Sequence, residues 1–277
     1  MLSPERRLLG TVTLEELILA PAGTPVAEIM TENPPFVRAE APAEEAARLI
    51  ARYDLPAVPV INGGEAMVGI VTADDAMDVA AEAATEDFHK AGGSGRLGVS
   101  LREATVGLLY RKRISWLVVL VFANLFSGAG IAAFEDVIAA NVALVFFLPL
   151  LIDSGGNAGS QSATLMVRAL ATGEARLSDW GLMLGREVIV ASLLGLTMAG
   201  AVSLLGLVRG GPDIALIVAL TMVCVVMVGS LIGLSLPFLL SRLGFDPATA
   251  SAPLITSIAN AAGVLIYFAI ASALLVG

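Results

Sequence analysis

Residues 146–174 read FFLPLLIDSGGNAGSQSATLMVRALATGE. This segment is the most informative part of the sequence because it places many polar groups inside an apolar region. Pro149 interrupts an apolar helix, Asp153 follows at its end, and the glycines beyond allow close backbone approach. Irregular backbone is tolerated in a bilayer only where protein buries it or where it lines a water-filled cavity. The segment therefore predicts either a water-filled pore lined with oxygen atoms or a cytoplasmic loop with helix-packing glycines.

The composition of the chain is that of a helical membrane protein. Of its 277 residues, 57% are hydrophobic and 15% are charged, whereas about 25% are charged in soluble domains. The spacing of the charges predicts five apolar spans, each near the roughly 17–25 residues that cross a bilayer. They cover about residues 114–134, 137–154, 181–207, 214–240 and 252–276. We therefore predict a membrane all-α bundle of five transmembrane helices per protomer.

The basic residues orient these spans. Cytoplasmic loops carry an excess of lysine and arginine, and such residues fall before the first span, between the second and third, and between the fourth and fifth. They are Arg111, Lys112, Arg113, Arg168, Arg176, Arg186 and Arg242. The pattern predicts a multi-pass protein of the cell (inner) membrane with a cytoplasmic N-terminus and an external C-terminus.

The region before the spans is predicted to be a small cytoplasmic α/β unit. A helical pattern over residues 43–55 is followed by two β-branched runs, AVPVI and MVGIVT, with a turn at residues 62–64 between them. The order is β-α-β-β-α. A charged connector follows, with an acidic helix containing Glu82, Glu86 and Asp87 and a glycine-rich break at residues 92–95.

Charge and residue counts exclude several classes of function. The net charge of −9 lies entirely in residues 1–100, which hold 16 acidic and 7 basic residues. An acidic surface repels nucleic acid and concentrates cations, so we expect no nucleic-acid partner. The chain has one cysteine, Cys224, so it has no internal disulfide. Cys224 and the single histidine, His89, are too few ligands for a zinc cluster. We predict no catalytic residues and no enzyme activity.

Two polar residues of the spans leave alternatives open. A carboxylate within a span costs roughly 2.5–3.5 kcal/mol on insertion scales, so Asp153 faces a pore or a partner unless it lies at a helix end. Asn260 lies well inside the last span, where it either bridges helices or lines a path. A cavity of carbonyl, amide and carboxylate oxygens suits a hard cation such as Mg²⁺, which keeps several of its waters.

Several motifs together resemble the MgtE family of magnesium channels. They are PLLIDSGGNAGSQSATLMVRALATGE (149–174), EAATEDFHKAGG (82–93), FE (134–135) and RLGFDPATASAPLITSIANAAGVLIYF (242–268). Residues 31–82 resemble the second of the family's two CBS modules, with GIVTADD (69–75) in the place of its signature. The resemblance implies a remnant of the first module over residues 1–30, a connecting, plug-like helix over 83–113 and a pore domain over 114–277.

The resemblance implies a homodimer in the membrane lipid whose pore is lined by the second and fifth helices. Its implied function is Mg²⁺ uptake gated by cytosolic Mg²⁺. The alternatives are another divalent cation such as Mn²⁺ or Co²⁺, relaxed selectivity, or a non-transporting membrane sensor. The implied pore residues are Asp153, Asn157, Asn260, Gly155 and Gly156, and the implied cytosolic sensor residues are Glu82, Glu86, Asp87 and Asp246.

Two features qualify the resemblance. Thr72 and Asp75 match CBS positions that hold a nucleotide hydroxyl and ribose, but the adenine side normally needs the neighbouring module, so we do not expect ATP to bind. The family usually has an aspartate where this chain has Asn260. Our hypothesis is that the pore carboxylate has moved from the fifth helix to Asp153 on the second.

Overall fold

The computed structural model describes residues 1–275 and divides into two compact units, residues 1–85 and the chain from Glu86 onward. The first unit is α/β. A two-stranded antiparallel sheet pairs β1 with β2, and a second sheet has the order β3-β4-β5 with β3 parallel and β5 antiparallel to β4. The strands are β1 (Gly10–Thr11), β2 (Thr31–Glu32), β3 (Val37–Arg38), β4 (Ala57–Ile61) and β5 (Met67–Thr72).

The helices that accompany these strands are α1 (Leu14–Leu19), α2 (Val26–Ile29), α3 (Ala43–Tyr53) and α4 (Ala73–Ala91), the last of which continues into the second unit. The sequence of elements from β3 to α4 confirms the predicted β-α-β-β-α order. Ala46 and Ile50 of α3 pack against Val58 of β4. The turn between β4 and β5 forms because the Asn62 side chain accepts hydrogen bonds from the backbone N–H groups of Gly64 and Ala66, both at 3.0 Å.

The second unit is helical. Its helices are α5 (Val106–Ala132), α6 (Glu135–Ala140), α7 (Ala143–Thr172), α8 (Trp180–Arg242) and α9 (Ala252–Leu275). Within residues 1–275, four helical stretches are long and apolar enough to cross a membrane, namely 106–132, 143–172, 177–242 and 252–275. The chain is therefore a multi-pass membrane protein by length and composition, although the number of candidate spans is four rather than the predicted five.

The difference in number arises at α8, which contains one break. Gly211 has φ 77° and ψ −171°, a non-helical conformation that favours glycine, and Pro212 follows it. The two arms, residues 180–210 and 212–242, pack against each other in antiparallel fashion, because Gly206 lies against Ala215 and Gly195 lies against Val223. The helix therefore reverses direction at Gly211, between the third and fourth spans that the sequence predicts.

The predicted end of the second span near residue 154 is wrong. Helix α7 continues without interruption from Ala143 through Pro149 and Asp153 to Thr172, so the glycine-rich stretch is neither irregular backbone nor a loop. The reason is tertiary contact. Gly155 lies 2.9 Å from the carbonyl oxygen of Val225 when measured from an ideal Cβ position, and Gly159 lies 2.7 Å from the carbonyl oxygen of Gly229. These glycines let α7 and the second arm of α8 touch backbone to backbone.

The core of the second unit lies among α7, α8 and α9. Leu144 and Phe147 of α7, Val218 and Val226 of α8 and Tyr267 of α9 are fully buried there. The Tyr267 hydroxyl donates a hydrogen bond of 2.9 Å to the carbonyl oxygen of Leu144. This hydrogen bond joins the beginning of α7 to the second half of α9.

Candidate functional site

Helix α7 carries a polar stripe, defined as Asp153, Asn157, Gln161 and Thr164. All four side chains are exposed in the protomer, and their spacing of four, four and three residues places them on one face of a helix. Asn157 donates a hydrogen bond of 3.0 Å to the Asp153 carboxylate. The stripe runs along a helix that is otherwise apolar enough to cross a membrane, so it requires water or a partner.

A cavity adjoins the stripe, and it is here called the polar cavity because amide and hydroxyl groups meet in it beside apolar side chains. It has a volume of about 590 Å³ and lies among α5, α7 and α9, and its polar lining residues are Asn124, Asn157, Ser160, Thr256, Ser257 and Asn260. The Ser160 hydroxyl lies 3.2 Å from the Thr256 hydroxyl and donates a bond of 3.3 Å to the Ala252 carbonyl oxygen. The structure thus brings the predicted Asn157 and Asn260 to one cavity, with hydroxyl oxygens between them.

The amide of Asn260 is incompletely paired. Its Oδ1 atom is buried and has no hydrogen-bond partner. It lies 3.2 Å from the ideal Cβ position of Gly156, so a side chain at residue 156 would crowd the amide. Among the two predicted glycines, Gly156 therefore faces Asn260, whereas Gly155 is buried against Val225 and packs α7 against α8.

Asn124 is a lining residue that sequence reasoning missed. It projects from α5, for which the sequence predicts no functional residue, and it meets Asn157 and Asn260 in the same cavity. The signal was present, because Asn124 is a single amide in the apolar run VVLVFANLF. A lone asparagine in a membrane helix interior faces protein or water rather than lipid.

A second group of charges forms a cluster around Lys90 near the end of α4, here called the cytoplasmic cluster after the side of the membrane that the basic residues predict for it. Its ammonium donates to Asp246 at 2.5 Å and lies 2.7 Å from Glu86. Arg96 adds a bond of 3.3 Å to the other oxygen of Glu86. Asp246 also accepts a hydrogen bond of 2.9 Å from the backbone of Ala248, which caps the short turn before α9. Predicted sensor residues Glu86 and Asp246 are therefore joined through one lysine.

The pKa shifts in the cytoplasmic cluster follow from burial and charge. Burial raises the pKa of the Asp87 carboxyl, and the negative charge of nearby Asp246 raises it further, while Lys90 opposes both effects. Burial lowers the pKa of Lys90, but its hydrogen bonds to Asp246 and Glu86 outweigh this and hold the pKa above its ordinary value. Asp87 is thus an acid at which additional positive charge would be stabilising.

The four predicted sensor residues do not form a ready metal cage. Glu82 lies one turn earlier on α4, in the first unit. Within residues 1–275, no three histidine, cysteine, aspartate or glutamate side chains are grouped so that they could hold a metal ion. Lys90 lies between the carboxylates of Glu86 and Asp246, in the position that a bridging cation would take.

The predicted nucleotide positions lie together at the beginning of α4. The Thr72 hydroxyl donates a bond of 2.7 Å to Asp75, whose other hydrogen bond comes from the Thr72 backbone at 3.4 Å. This is the geometry of a side chain that caps a helix. In the structure both residues are accordingly engaged with each other at the end of β5.

Comparison with known proteins assigns both parts of the chain. Residues 148–270 match the MgtE family, described as a divalent cation transporter, and residues 26–82 match the CBS domain. The first match covers the polar stripe and Asn260, and Asn157 of the stripe lines the same cavity as Asn260. Residues 148–270 therefore belong to the MgtE family. The predicted resemblance is thereby confirmed, and the family is one of transporters rather than enzymes.

The curated MgtE relatives are similar over nearly the whole chain. A magnesium transporter MgtE from Thermus thermophilus is 42% identical over 97% of this chain, and one from Bacillus subtilis is 33% identical over 99%. The chain spans 60% of the length of each of these relatives. A solved structure of the cytosolic domain of the Mg²⁺ channel MgtE in complex with ATP is 44% identical, with a TM-score of 0.27, covering 28% of this chain and 32% of that one.

Proposed function

We propose that the chain conducts Mg²⁺ across the cell membrane as a homodimer, with the polar stripe of α7 facing the path. The observation that carries this proposal is the exposure of Asp153 and Asn157 on a membrane-length helix of a single protomer. A carboxylate facing lipid is costly, by about 2.5–3.5 kcal/mol on insertion scales. A second copy packed over this face would enclose the stripe and convert it into a wet channel between the protomers.

The five-span topology is part of the proposal. If each arm of α8 crosses the membrane once, the reversal at Gly211 gives five crossings from the four apolar stretches. The basic residues then favour a cytoplasmic N-terminus and an external C-terminus. Each arm has more than the roughly 20 residues that a crossing needs. This arrangement places the cytoplasmic cluster around Lys90 on the same side of the membrane as Arg242.

The chemistry of the path favours passage of a hydrated ion. Mg²⁺ releases its waters reluctantly and is held by few carboxylates. In the path, Asp153 supplies charge, while Asn157, Asn260 and Asn124 supply amides that can hydrogen-bond to the waters of the ion. Inward movement needs no coupled reaction, because the membrane potential supplies about 4.6 kcal/mol per 100 mV to a divalent cation.

The purified chain in proteoliposomes is expected to admit Mg²⁺ down its gradient, and this flux is the test of the proposed function. Internal Mg²⁺ is read with an enclosed dye, and Mn²⁺ and Co²⁺ are compared at equal concentration. Empty liposomes and liposomes challenged with Na⁺ alone are the controls. A tight preference for Mg²⁺ supports the primary proposal. Comparable flux of all three cations would favour the alternative of relaxed selectivity, which is suggested by Asn260 in the place of the family's usual aspartate. Absence of any flux would favour the alternative of a non-transporting sensor.

We further propose that the cytoplasmic cluster senses cytosolic Mg²⁺. Burial and, after it, the negative charge of Asp246 raise the pKa of Asp87, so the two carboxylates lie close enough to repel each other. A divalent ion between them would reverse the sign of that interaction. Mg²⁺ would compete with the Lys90 ammonium for Glu86 and Asp246. Binding would then hold α4 to the turn before α9 more firmly than the lysine does and favour the closed state.

Replacing Asp246 with asparagine is expected to weaken this response by about tenfold or more in Mg²⁺ concentration, because one of the two carboxylates held by Lys90 is lost. The measurement is protection of residues 92–95 from limited proteolysis as Mg²⁺ is titrated. Glu174→Gln removes an exposed carboxylate from another loop and serves as the matched control. A D246N midpoint equal to that of the control would contradict the sensor proposal.

A further inference from the structure

A cavity outside the ion path carries basic groups that the proposed function does not use. It has a volume of about 320 Å³, which falls within the roughly 300–1,000 Å³ of small-ligand sites. Three cationic side chains and three hydroxyl groups converge on it, namely Lys90, Arg111, Lys112, Ser94, Ser115 and Thr249. The cavity lies wholly within the second unit, between the end of α4, the beginning of α5 and the turn before α9.

The glycines of the connector shape this cavity. Gly93 has φ 73° and brings the backbone against the Trp116 indole, where a Cβ would lie 2.7 Å from Cδ1. The Trp116 indole N–H is already engaged, because it donates a bond of 3.2 Å to Ser251. Gly95 lies along the Lys112 side chain, 3.4 Å from Cδ and 3.9 Å from Nζ when measured from an ideal Cβ. The backbone at Gly95 therefore forms one side of the cavity, and the Lys112 ammonium lies close to it.

The positive charge in the cavity is largely uncompensated. Lys90 is paired with Glu86 and Asp246, but neither Arg111 nor Lys112 forms an ion pair within residues 1–275. No acidic residue lines the cavity among the residues that the structure describes. The Ser94 hydroxyl already donates to the His89 carbonyl oxygen at 3.1 Å, which leaves the Ser115 and Thr249 hydroxyls beside the two cations. This set favours an anion with several oxygen acceptors, and a phosphate group has this chemistry.

The position of the cavity along α5 indicates where such an anion comes from. Arg111 and Lys112 immediately precede the apolar part of the helix, and Trp116 follows one turn later. Basic residues next to a span, with an aromatic residue at the interface, mark the headgroup level of a bilayer. With the orientation given above, this is the cytoplasmic leaflet, where anionic lipids attract basic segments.

We propose that this cavity binds a phosphate group, with the headgroup of an anionic phospholipid as its source. The inference rests on the proposed function only for its placement at the membrane surface, not for ion transport. Lys90 borders the site and also holds Glu86 and Asp246 of the cytoplasmic cluster. A bound phosphate would attract Lys90 away from those carboxylates, so phosphate and Mg²⁺ would each favour the binding of the other.

The first test is lipid binding by native mass spectrometry of the full chain in detergent, with phosphatidylglycerol compared with phosphatidylcholine. The chain is expected to prefer phosphatidylglycerol, and R111Q/K112Q is expected to weaken this binding about 10- to 30-fold. The control R113Q/R176Q removes the same charge from residues that do not line the cavity, and we expect less than a twofold effect. Equal losses in both double variants, or no preference between the two lipids, would overturn the proposal.

A second measurement does not depend on removing charge from the site. In W180F, Trp116 is the only remaining tryptophan of the two in the chain, so its emission reports on the cavity. We expect the Trp116 emission to change saturably with phosphatidylglycerol in nanodiscs and to stay constant when millimolar phosphate is added to phosphatidylcholine nanodiscs. This result would support the lipid headgroup as the ligand. A response to free phosphate alone would support the phosphate site and overturn the lipid source, and no response to either would overturn the site. Neither readout requires transport, so loss of ion flux would leave this result unaffected.

Discussion

Replacing Asp153 with asparagine is expected to lower Mg²⁺ flux through the reconstituted chain by at least about tenfold. Even at the dielectric constant of water, a unit charge about 6 Å from a divalent ion is worth about 1.4 kcal/mol, which corresponds to a factor of about ten. The asparagine keeps the shape of the side chain and can still accept the hydrogen bond from Asn157. The variant therefore tests charge rather than packing.

The matched control for this experiment is Asp136→Asn. Asp136 lies in the short helix α6, outside the polar stripe and the polar cavity, so its loss is expected to leave flux within about twofold of the unchanged chain. Dye-loaded proteoliposomes and equal protein incorporation make the two variants comparable. Asp153→Glu, which retains the charge, is expected to recover most of the flux. Undiminished transport by D153N would show that the pore carboxylate lies elsewhere and would remove the central element of the proposed path.

Replacing Gly233 with alanine is expected to destabilise the membrane unit by about 2–3 kcal/mol, at the upper end of the range for overpacking. A Cβ at this position would collide with the carbonyl oxygen of Gly159 on α7. Because the obstacle is backbone rather than the end of a flexible side chain, the two helices have to separate. The intrinsic preference of helices for alanine, about 1 kcal/mol, offsets only part of this loss.

The effect is measured as thermal unfolding in detergent, with the fraction of protein that stays monodisperse after heating as the readout. A loss of about 2–3 kcal/mol lowers the melting temperature by roughly 5–10 °C for a unit of this length. Gly200→Ala provides the control, because Gly200 lies in the first arm of α8 and has no neighbour within 4 Å of its ideal Cβ position. Its melting temperature is expected to stay equal or rise slightly. A similar decrease for both variants would indicate that the close contact between α7 and α8 contributes nothing specific.

Local patterns in the sequence predicted the first unit and the break after α4 well, but the connecting helix implied over residues 83–113 is not continuous, because α4 ends at Ala91 and α5 begins only at Val106. The asparagine and glycines at residues 62–64 form the turn between β4 and β5, and α4 ends at Ala91 immediately before the glycine run. In these places, the conformation depends on residues that are neighbours in the sequence. The gap foreseen between residues 207 and 214 likewise contains Gly211, whose positive φ follows from its own lack of a side chain.

The wrong prediction concerned a segment whose conformation is determined by distant residues. Pro149, Asp153 and the following glycines have low helix propensity, and their order suggested a helix end. Contacts with Val225 and Gly229 override this preference, and those partners lie some 70 residues away in the sequence. Asn124 is recognisable as a lone amide in an apolar run, but its meeting with Asn157 and Asn260 depends on how α5 packs against α9.

The close contact between α7 and the second arm of α8 also constrains how the polar cavity can widen. Where main chain touches main chain, no rotamer can change to absorb sliding, since displacement would bring carbonyl oxygens into collision. We therefore expect these two segments to move as one rigid pair. Changes in the width of the cavity would then come from tilting of α9, where the Ser160 and Thr256 hydroxyls at its contact with α7 can exchange partners with water, and of α5, which packs against α9.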